Sequence, residues 1–322
     1  MANLGSLTTG AQGDLQSDVI LQEALDTFVK DLGFFSSIHT DFGGSAIRFN
    51  QSLVTRIWAK RAVTDVVDFG SQTGGGYNGG SEDSDAEAVS IKLDKHPFIK
   101  FHLTDLEREE SQVSLISDIA QQAAHALARK VAEDLLTEAL QNSATVTAVT
   151  AANYGMDDLY TLAKQFDDAD MPSEGRWLVM STKAYYETLA ELTNIANASY
   201  NINSGISEAS FQQRLAGFDI YTYNGLDNLD ADATAGTDKS YDLLAGYRGS
   251  LAMVSRLPEF ADASMQIGDI ANASEPSSGI SLQLRRKYDV FDAKEEYALT
   301  CMYGLEAPKD SVGNRIFKQK IS

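Results

Sequence analysis

Residues Ser111 to Asn142 have the sequence SQVSLISDIAQQAAHALARKVAEDLLTEALQN, which contains neither glycine nor proline in 32 positions. Apolar and small side chains recur in it at steps of three and four, and this spacing predicts one helix with a continuous buried stripe. At 1.5 Å per residue such a helix would span about 48 Å, more than the diameter of a small domain. The predicted stripe consists of Val113, Ile116, Ala120, Ala123, Leu127, Val131 and Leu135. The predicted polar face carries Asp118, Gln122, His125, Arg129 and Glu133.

A helix of this length is typical of a membrane span, a coiled coil or an extended scaffold, and it also occurs as an over-long core helix of an α+β domain. Its charged pairs and polar face exclude a membrane span, which needs about 20 mostly apolar residues. The alanines at seam positions argue against a long leucine-type zipper. An extended scaffold helix and a core helix both remain open at this point.

The composition describes a folded and strongly acidic chain. Its 322 residues, 43% of them hydrophobic, suffice for one elaborated domain or two intertwined ones. A formal charge of -20 argues against nucleic-acid binding, which depends on clustered lysine and arginine. The lone cysteine, Cys301, forms no intramolecular disulfide or thiolate zinc site. Because Met1 to Gly10 show neither a basic start nor an apolar run, cytoplasmic synthesis without export is expected.

A long two-stranded ribbon is predicted over residues 47–104. Its first arm is mostly strand-like, and the glycine-rich stretch from Gly70 to Gly80, with acidic residues after it, predicts a flexible tip. In the return arm Pro97 demands an edge strand or a bulge. Because an isolated ribbon is only marginally stable in water, a neighbouring subunit is the expected cover. The alternating apolar residues of the return arm are Val89, Ile91, Leu93, Ile99, Phe101 and Leu103.

The remaining segments predict a mixture of helices and strands. Residues 1–20 are polar and are expected to form an arm outside the packed core, followed by a short helix over Leu21 to Phe35. Strands that alternate from Ile280 to Val290 and from Tyr297 to Leu305 predict a β-hairpin. Further helices are predicted at Met156 to Phe166 and Thr182 to Leu192, strands at Trp177 to Met180, Phe218 to Tyr223 and Ser250 to Val254, and loops at Asn194 to Ser210 and 225–240.

The sequence predicts no catalytic, cofactor or metal site. The glycine-rich tip lacks the Gly-Lys-Ser/Thr ending of a phosphate loop, and no Gly-x-Ser-x-Gly elbow is present. No histidine lies in a His-Glu-x-x-His arrangement, so solvated or interface histidines are expected. The aspartates after residue 226 lack the glycine and the closing glutamate of an EF-hand loop, which disfavours calcium. The histidines are His39, His96, His102 and His125, and the aspartates are Asp227, Asp230, Asp232 and Asp238.

The order of these segments resembles the major capsid protein of tailed bacteriophages, the coat-protein fold of the Hong Kong ninety-seven type. Met171 to Ser181, with the sequence MPSEGRWLVMS, is similar to that family's Pro-x-x-Gly-Arg turn and strand. Leu215 to Ile220, Asn224 to Leu226 and Gly246 to Met253 resemble strand and turn segments that follow in the family. Taken in order, the similar segments cover nearly the whole chain.

The resemblance implies an α+β phage capsid fold with an N-terminal arm, an extended β-hairpin loop, a long spine helix, a peripheral domain and an axial domain. It implies a protein without enzymatic activity that self-assembles as hexamers and pentamers into an icosahedral head. That head would enclose double-stranded DNA without sequence-specific contact, and no membrane is involved. The expected parts are the arm at 1–45, the extended loop at 46–105, the peripheral domain with the spine helix at 106–149, the axial domain at 150–275, and strands returning to the peripheral domain at 276–322.

The resemblance also implies partners. A separate scaffolding protein is expected because no scaffolding segment precedes the arm, together with a portal and, as a further option, decoration proteins. The protein would be made in the host cytoplasm and end in the virion capsid. Crosslinking through a ribbon lysine is disfavoured because nothing identifies its acid or asparagine partner. The residues predicted to contact neighbouring subunits are Phe69, Tyr77, Glu82, Asp83, Lys92, Lys95 and Lys100.

Two alternatives remain open from the sequence. A bacterial nanocompartment shell shares this architecture but packages enzymes, and the genes beside it would distinguish it. A solitary hydrolase or a calcium-binding surface protein would run as a small particle in size-exclusion chromatography.

Overall fold

The computed structural model describes residues 18–28, 38, 40, 49–58, 86–110, 115–145, 155–199, 214–229, 241–258, 269–274, 279–307 and 316–321. None of the helices in these ranges is both long and apolar enough to span a membrane. The helices are α1 (residues 18–28), α2 (Asp105–Glu110), α3 (Leu115–Gln141), α4 (Met156–Asp168) and α5 (Thr182–Ser199), with a 3-10 turn at Leu226–Asn228. The strands are β1 (Ser52–Trp58), β2 (Ala86–Lys92), β3 (Phe98–Thr104), β4 (Ala144–Thr145), β5 (Arg176–Met180), β6 (Arg214–Leu215), β7 (Phe218–Thr222), β8 (Leu243–Tyr247), β9 (Ala252–Arg256), β10 (Asp269–Ser274), β11 (Ser281–Asp289), β12 (Lys294–Glu306) and β13 (Phe317–Gln319).

Helix α3 is the long helix that the sequence predicts. It has 27 residues, so it is about 40 Å long, and the predicted start at Ser111 lies outside the described residues. From Ile116 to Leu135 every residue of the predicted stripe is buried, while Val113 lies outside the described part. The predicted polar face is exposed except at Glu133, which is half-buried. Because this stripe is buried in one core, α3 is packed over most of its length.

One sheet, which we call the hairpin sheet, packs its inner face on α3. Its strand order is β10-β11-β12-β3, all antiparallel, and β9 pairs with the far half of β12. The predicted hairpin is confirmed as β11 and β12, joined by a turn at 290–293. The predicted alternation on β12 is also confirmed, because the five residues of its apolar row are buried in the same core as α3. That row consists of Tyr297, Leu299, Cys301, Tyr303 and Leu305.

The second sheet contains parallel and antiparallel pairs, and we call it the mixed sheet. Its order is β4-β13-β8-β5-β7-β6. Strand β5 is central and entirely buried, since it lies between β8 and β7. Alternate residues of β5 face opposite cores: Trp177 and Val179 pack toward α3, whereas Leu178 and Met180 pack against α4.

The ribbon is shorter than predicted. Strands β1 and β2 form a two-stranded sheet, but β3 pairs with β12 and belongs to the hairpin sheet. The predicted boundary at residue 105 is therefore wrong, because Lys95 and Pro97 end the ribbon and redirect the chain to a new partner strand. Lys95 forms a β-bridge with Tyr303, and the carbonyl of Pro97 accepts a hydrogen bond from the Thr300 hydroxyl over 3.1 Å.

The prediction that residues 1–20 lie outside the core is wrong at its end. Helix α1 includes residues 18–20, and Ile20 is buried in the core that contains α3. Its apolar stripe continues through Leu21, Leu25 and Phe28, all buried, so the amphipathic spacing starts one residue before the predicted helix. Residues 1–17 and the rest of the predicted helix, from residue 29 to Phe35, lie outside the described ranges.

Other segments also differ from prediction. The predicted loop from Asn194 is wrong up to Ser199, since α5 continues through it without glycine or proline. The predicted strand at Ser250 to Val254 begins only at Ala252, and the preceding strand β8 was missed. The chain turns at 248–250 and so passes from the mixed sheet to the hairpin sheet. Strand β13 was expected to return to the peripheral domain, yet it lies in the mixed sheet because it pairs with β4 and β8.

Candidate assembly surface at the root of the ribbon

The two strands of the ribbon are hydrogen-bonded to each other where they join the rest of the subunit, around Asn50 and Leu93, and we call this part the root. Beyond the antiparallel pairing of β1 and β2, the backbone amide of Asn50 donates to the Leu93 carbonyl over 2.7 Å, and the amide of Leu93 donates to the Gln51 carbonyl over 3.1 Å. Asn50 has a φ of 66°, in the left-handed region that asparagine tolerates better than most residues. The root is thus held by backbone hydrogen bonds on both strands.

A small apolar cluster packs the root against the body. Ile91 and Leu93 are buried against Ala252, Val254 and Met302, which come from β9 and β12. Burying a side chain of this size stabilises a fold by about 1.5–3 kcal/mol. The cluster therefore fixes the direction in which the ribbon leaves the body.

The backbones of the ribbon and β12 approach each other closely at Gly304. A Cβ atom on Gly304 would overlap the carbonyl oxygen of Lys92 and would lie 3.1 Å from the Cα atom of Leu93. Only glycine leaves space for this approach.

A polar network joins the root to α3. Lys95 and Tyr303 exchange backbone hydrogen bonds of 3.1 and 2.9 Å. The Tyr303 hydroxyl donates to the carboxylate of Asp134 over 2.7 Å, and the Lys130 ammonium donates to the same carboxylate over 2.8 Å. The Lys95 ammonium lies 3.8 Å from that carboxylate. Asp134 on α3 is therefore the common partner of the root, β12 and the helix.

Two pKa values reflect this network. Burial by itself would raise the pKa of Asp134, but the hydrogen bonds from Lys130 and Tyr303 and the charge of Lys95 bring it below its ordinary value. Burial, followed by the hydrogen bond to Asp134, raises the pKa of Tyr303 far above its ordinary value. At neutral pH the network consists of an ionised carboxylate and a neutral phenol.

Beside the root, the outward face of the hairpin sheet carries exposed rings and cations. Phe98 is 61% exposed, with the Lys100 ammonium 5.6 Å from its ring centroid, and Phe49 is 52% exposed, with its ring 6.3 Å from that of His96. Lys100 and the exposed Arg285 share a face because both are paired with the same residue of β12. Partial burial and the charge of Arg285 lower the pKa of His96. We call Phe49, His96, Phe98, Lys100 and Arg285 the root surface.

Three of the predicted contact residues lie in the described ranges, at different places. Lys92 is exposed at the end of β2, on the ribbon itself. Lys95 instead turns toward α3, and Lys100 lies on β3 at the root surface. The other predicted contacts, which fall outside the described residues, are Phe69, Tyr77, Glu82 and Asp83.

Several residues of this region were not found from the sequence. Gly304 and Asp134 gave no signal, because their roles depend on contacts with segments far away in the chain. Phe98 did carry a signal, since it begins a predicted strand on the face opposite the apolar row.

Nothing in the described ranges forms a metal site, since no cluster of three or more histidine, cysteine, aspartate or glutamate residues is close enough to hold an ion. His96, His102 and His125 are exposed, as the sequence predicts, and His39 lies outside those ranges. Asp227 is exposed, and the remaining aspartates of the predicted loop lie beyond the described part. Cys301 is buried, in agreement with its predicted role as a small apolar residue.

Solved structures share this fold over most of its length. One from Mycobacterium phage Che8 has a TM-score of 0.57 at 17% identity and covers 88% of both chains. The capsid of cyanophage P-SCSP1u has a TM-score of 0.58 at 14% identity, covering 89% of this chain and 86% of the other. The asymmetric unit of the bacteriophage PhiM1 mature capsid has a TM-score of 0.55 at 12% identity and covers 88% of both chains. At these identities the likeness is one of fold.

The architecture is therefore that of proteins that build phage capsids. A family model described as phage capsid protein matches residues 86–277, which is more than half of the sequence. A search of curated proteins found no match to this chain. The chain belongs to the phage capsid protein family and has the function of a major capsid protein of a tailed phage. It is a structural protein of the virion capsid.

Proposed function

We propose that this capsid protein assembles as hexamers and pentamers into an icosahedral head that encloses double-stranded DNA. The observation that supports this most directly is the ribbon of β1 and β2. It forms a sheet of two strands, and no third strand pairs with it within the described part of the chain. Because such a ribbon is marginally stable alone, a second copy of the chain is the cover that completes it.

The ribbon of one copy lies across the root surface of the next. The sequence places Glu82, Asp83, Asp85 and Glu87 just before or within the start of β2, beyond the glycine-rich tip. The root surface carries two cations, Lys100 and Arg285, although the formal charge of the whole chain is -20. An acidic segment of a second copy is therefore the partner with complementary charge. Phe49 and Phe98 would supply apolar area at the same contact.

Each contact of this kind is modest, and the shell is stabilised because each copy makes several of them at once. Phe69 and Tyr77 would add to the ribbon side of the contact, and Lys92 would add a cation at the root end of the ribbon. Lys95 serves the contact indirectly, by holding the root against α3. Within this scheme the arm is residues 1–45, the spine helix lies in 106–149 and the axial domain is 150–275.

Other partners follow from the same scheme. Because identical copies must close around both five-fold and six-fold centres, we include a separate scaffolding protein as a template, a portal at one vertex, and decoration proteins as a further option. The acidic chain lines the packaged DNA without sequence-specific contact. The protein is made in the host cytoplasm and has no catalytic role.

Negative-stain electron microscopy of the expressed chain tests the proposal, alone and with the adjacent phage genes. Closed shells or capsomers are expected, and a variant with both Phe49 and Phe98 changed to serine should remain a soluble subunit. Glu174→Ser, at an exposed turn of the mixed sheet, is the control that should assemble normally. A chain that stays monomeric in size-exclusion chromatography at high concentration in both settings would refute it. Shells filled with an enzyme would support a nanocompartment instead.

A further inference from the structure

The segment from Ile316 to Ile321 connects two hydrophobic cores. Ile316 is buried in the core that contains α3 and the hairpin sheet, whereas Ile321 is buried in the core formed by α4 and the outer face of the mixed sheet. Between them β13 pairs in parallel with β4 and antiparallel with β8. Strand β4 follows directly after α3, so β13 is the strand that links the end of this helix to the mixed sheet.

A lysine of this segment completes the end of α3. The last turn of α3 carries no basic residue, although a helix C-terminus has unpaired carbonyls and a partial negative charge. The buried Lys318 donates from its ammonium to the Leu140 carbonyl over 2.9 Å, and the same ammonium lies 4.7 Å from the centroid of the Tyr241 ring. A cation from a distant part of the chain thus stabilises the helix terminus.

The other end of the segment is held by the mixed sheet and α5. The backbone amide of Ile321 donates to the buried carboxylate of Asp242 over 2.9 Å, and the Lys183 ammonium donates to the Ile321 carbonyl over 3.2 Å. The second carboxylate oxygen of Asp242 accepts from the Ser181 hydroxyl over 3.0 Å. The segment is therefore fastened to both sides by directional bonds.

We propose that residues 316–321 act as a clasp that sets the angle between α3 and the mixed sheet, and thereby the curvature of the shell. Packed side chains alone allow neighbouring elements to slide by small steps, whereas paired backbones and a lysine at a helix end hold one register. The effect on shell curvature rests on the proposed assembly. The effect on the angle between α3 and the mixed sheet concerns a single subunit and does not depend on assembly.

Hydrogen exchange on the unassembled subunit tests the clasp first. Lys318→Met keeps much of the side-chain volume and removes the ammonium, and Lys287→Met, at an exposed position of β11, is the matched control. Exchange at the last turn of α3 and in β8 should become at least ten-fold faster in Lys318→Met, while β11 and β12 stay unchanged. The control should leave all of these segments unchanged.

A chain shortened to end at residue 315 tests the consequence for the shell. Its particles are expected to vary in diameter in electron micrographs, while full-length particles are uniform. Uniform particles from the shortened chain would overturn the claim about curvature. Unchanged exchange in Lys318→Met, or an equal increase across β11 and β12, would overturn the clasp even if the shortened chain fails to fold.

Discussion

Gly304 on β12 lies directly behind Lys92 on β2, so close that a Cβ atom on the glycine would overlap the lysine's carbonyl oxygen. This contact seats the ribbon on the hairpin sheet, with Ile91 and Leu93 buried on the same side. The direction of the ribbon therefore depends on a residue that is itself buried within the subunit.

Gly304→Ala is expected to push the root away from β12. Overpacking of this kind typically costs about 1–3 kcal/mol of unfolding free energy, and assembly should fall further because the ribbon is redirected. Urea unfolding and particle counts by electron microscopy measure the two effects. Glu174→Ser, at an exposed turn of the mixed sheet, is the control and should change neither. Normal assembly of Gly304→Ala would show that ribbon direction is not critical.

The carboxylate of Asp134 makes the stability of the subunit depend on acidic pH. Its pKa in the folded chain is lower than the ordinary value of 3.8, so its contribution is complete above that value and is lost as pH falls through the folded pKa. Unfolding free energies at pH 7 and pH 3 should therefore differ less in Asp134→Asn than in the wild type. Asp118→Asn, on the exposed face of α3, should keep the wild-type difference. An unchanged difference in Asp134→Asn would contradict the proposed role of the network.

Charge reversal tests the contact between the ribbon tip and the root surface. Lys100→Glu should reduce assembly, and so should the double change of Glu82 and Asp83 to lysine. Combining the three changes should restore assembly in part, because the opposite charges meet again. Light scattering at two salt concentrations measures this, since screening weakens exposed charge pairs. Glu174→Lys is the control on a distant turn. Wild-type assembly of Lys100→Glu would exclude this contact.

Cys301 should be unreactive in the folded subunit. Burial raises the pKa of its thiol to about 12, so almost no thiolate is present at neutral pH. Because Cys301 is the only cysteine, the coloured product that a disulfide reagent releases on reaction with a thiol measures the reactivity of Cys301 alone. No reaction is expected until denaturant unfolds β12. Lys287→Cys provides an exposed thiol as the positive control, and rapid labelling of native Cys301 would show that β12 opens readily.

Arg176, the first residue of β5, is expected to be sensitive to substitution because it holds the turn before this strand. Its guanidinium donates to the carbonyls of Met171 and Pro172 over 2.8 and 2.7 Å and pairs with Asp167 over 2.7 Å. Arg176→Met should cost about 1.5–3 kcal/mol, because the hydrogen bonds of the buried guanidinium to these two carbonyls are lost. Arg176→Lys should recover little of this, since an ammonium cannot reproduce the planar fork.

Asp167→Asn is the matched control for this turn. The side chain of Asp167 is 68% exposed, so its ion pair should contribute no more than about 1 kcal/mol. Urea unfolding of the three variants gives the comparison. Equal losses for Asp167→Asn and Arg176→Met would mean that the ion pair, and not the carbonyl contacts, carries the effect.

The sequence predicted the elements in which the spacing of apolar residues shows which side is buried. The stripe from Ile116 to Leu135 on α3 and the alternation on β12 were both confirmed by burial. The ribbon was predicted too long, because β3 alternates in the same way whether it continues a ribbon or pairs with β12. The predicted contact residue Lys100 is therefore on the body of the subunit, although it remains a candidate for the same interface.

The sequence by itself determined that this chain has a long helix and a hairpin near its end, since each is encoded by local spacing. It also predicts a glycine-rich tip, which lies outside the described residues. Only the tertiary structure decided that β13 joins the mixed sheet, that Asp134 links three elements and that Gly304 seats the ribbon. The physical reason is that strand pairing and close backbone contact depend on partners far apart in the chain. Such partners leave no periodic pattern in either segment.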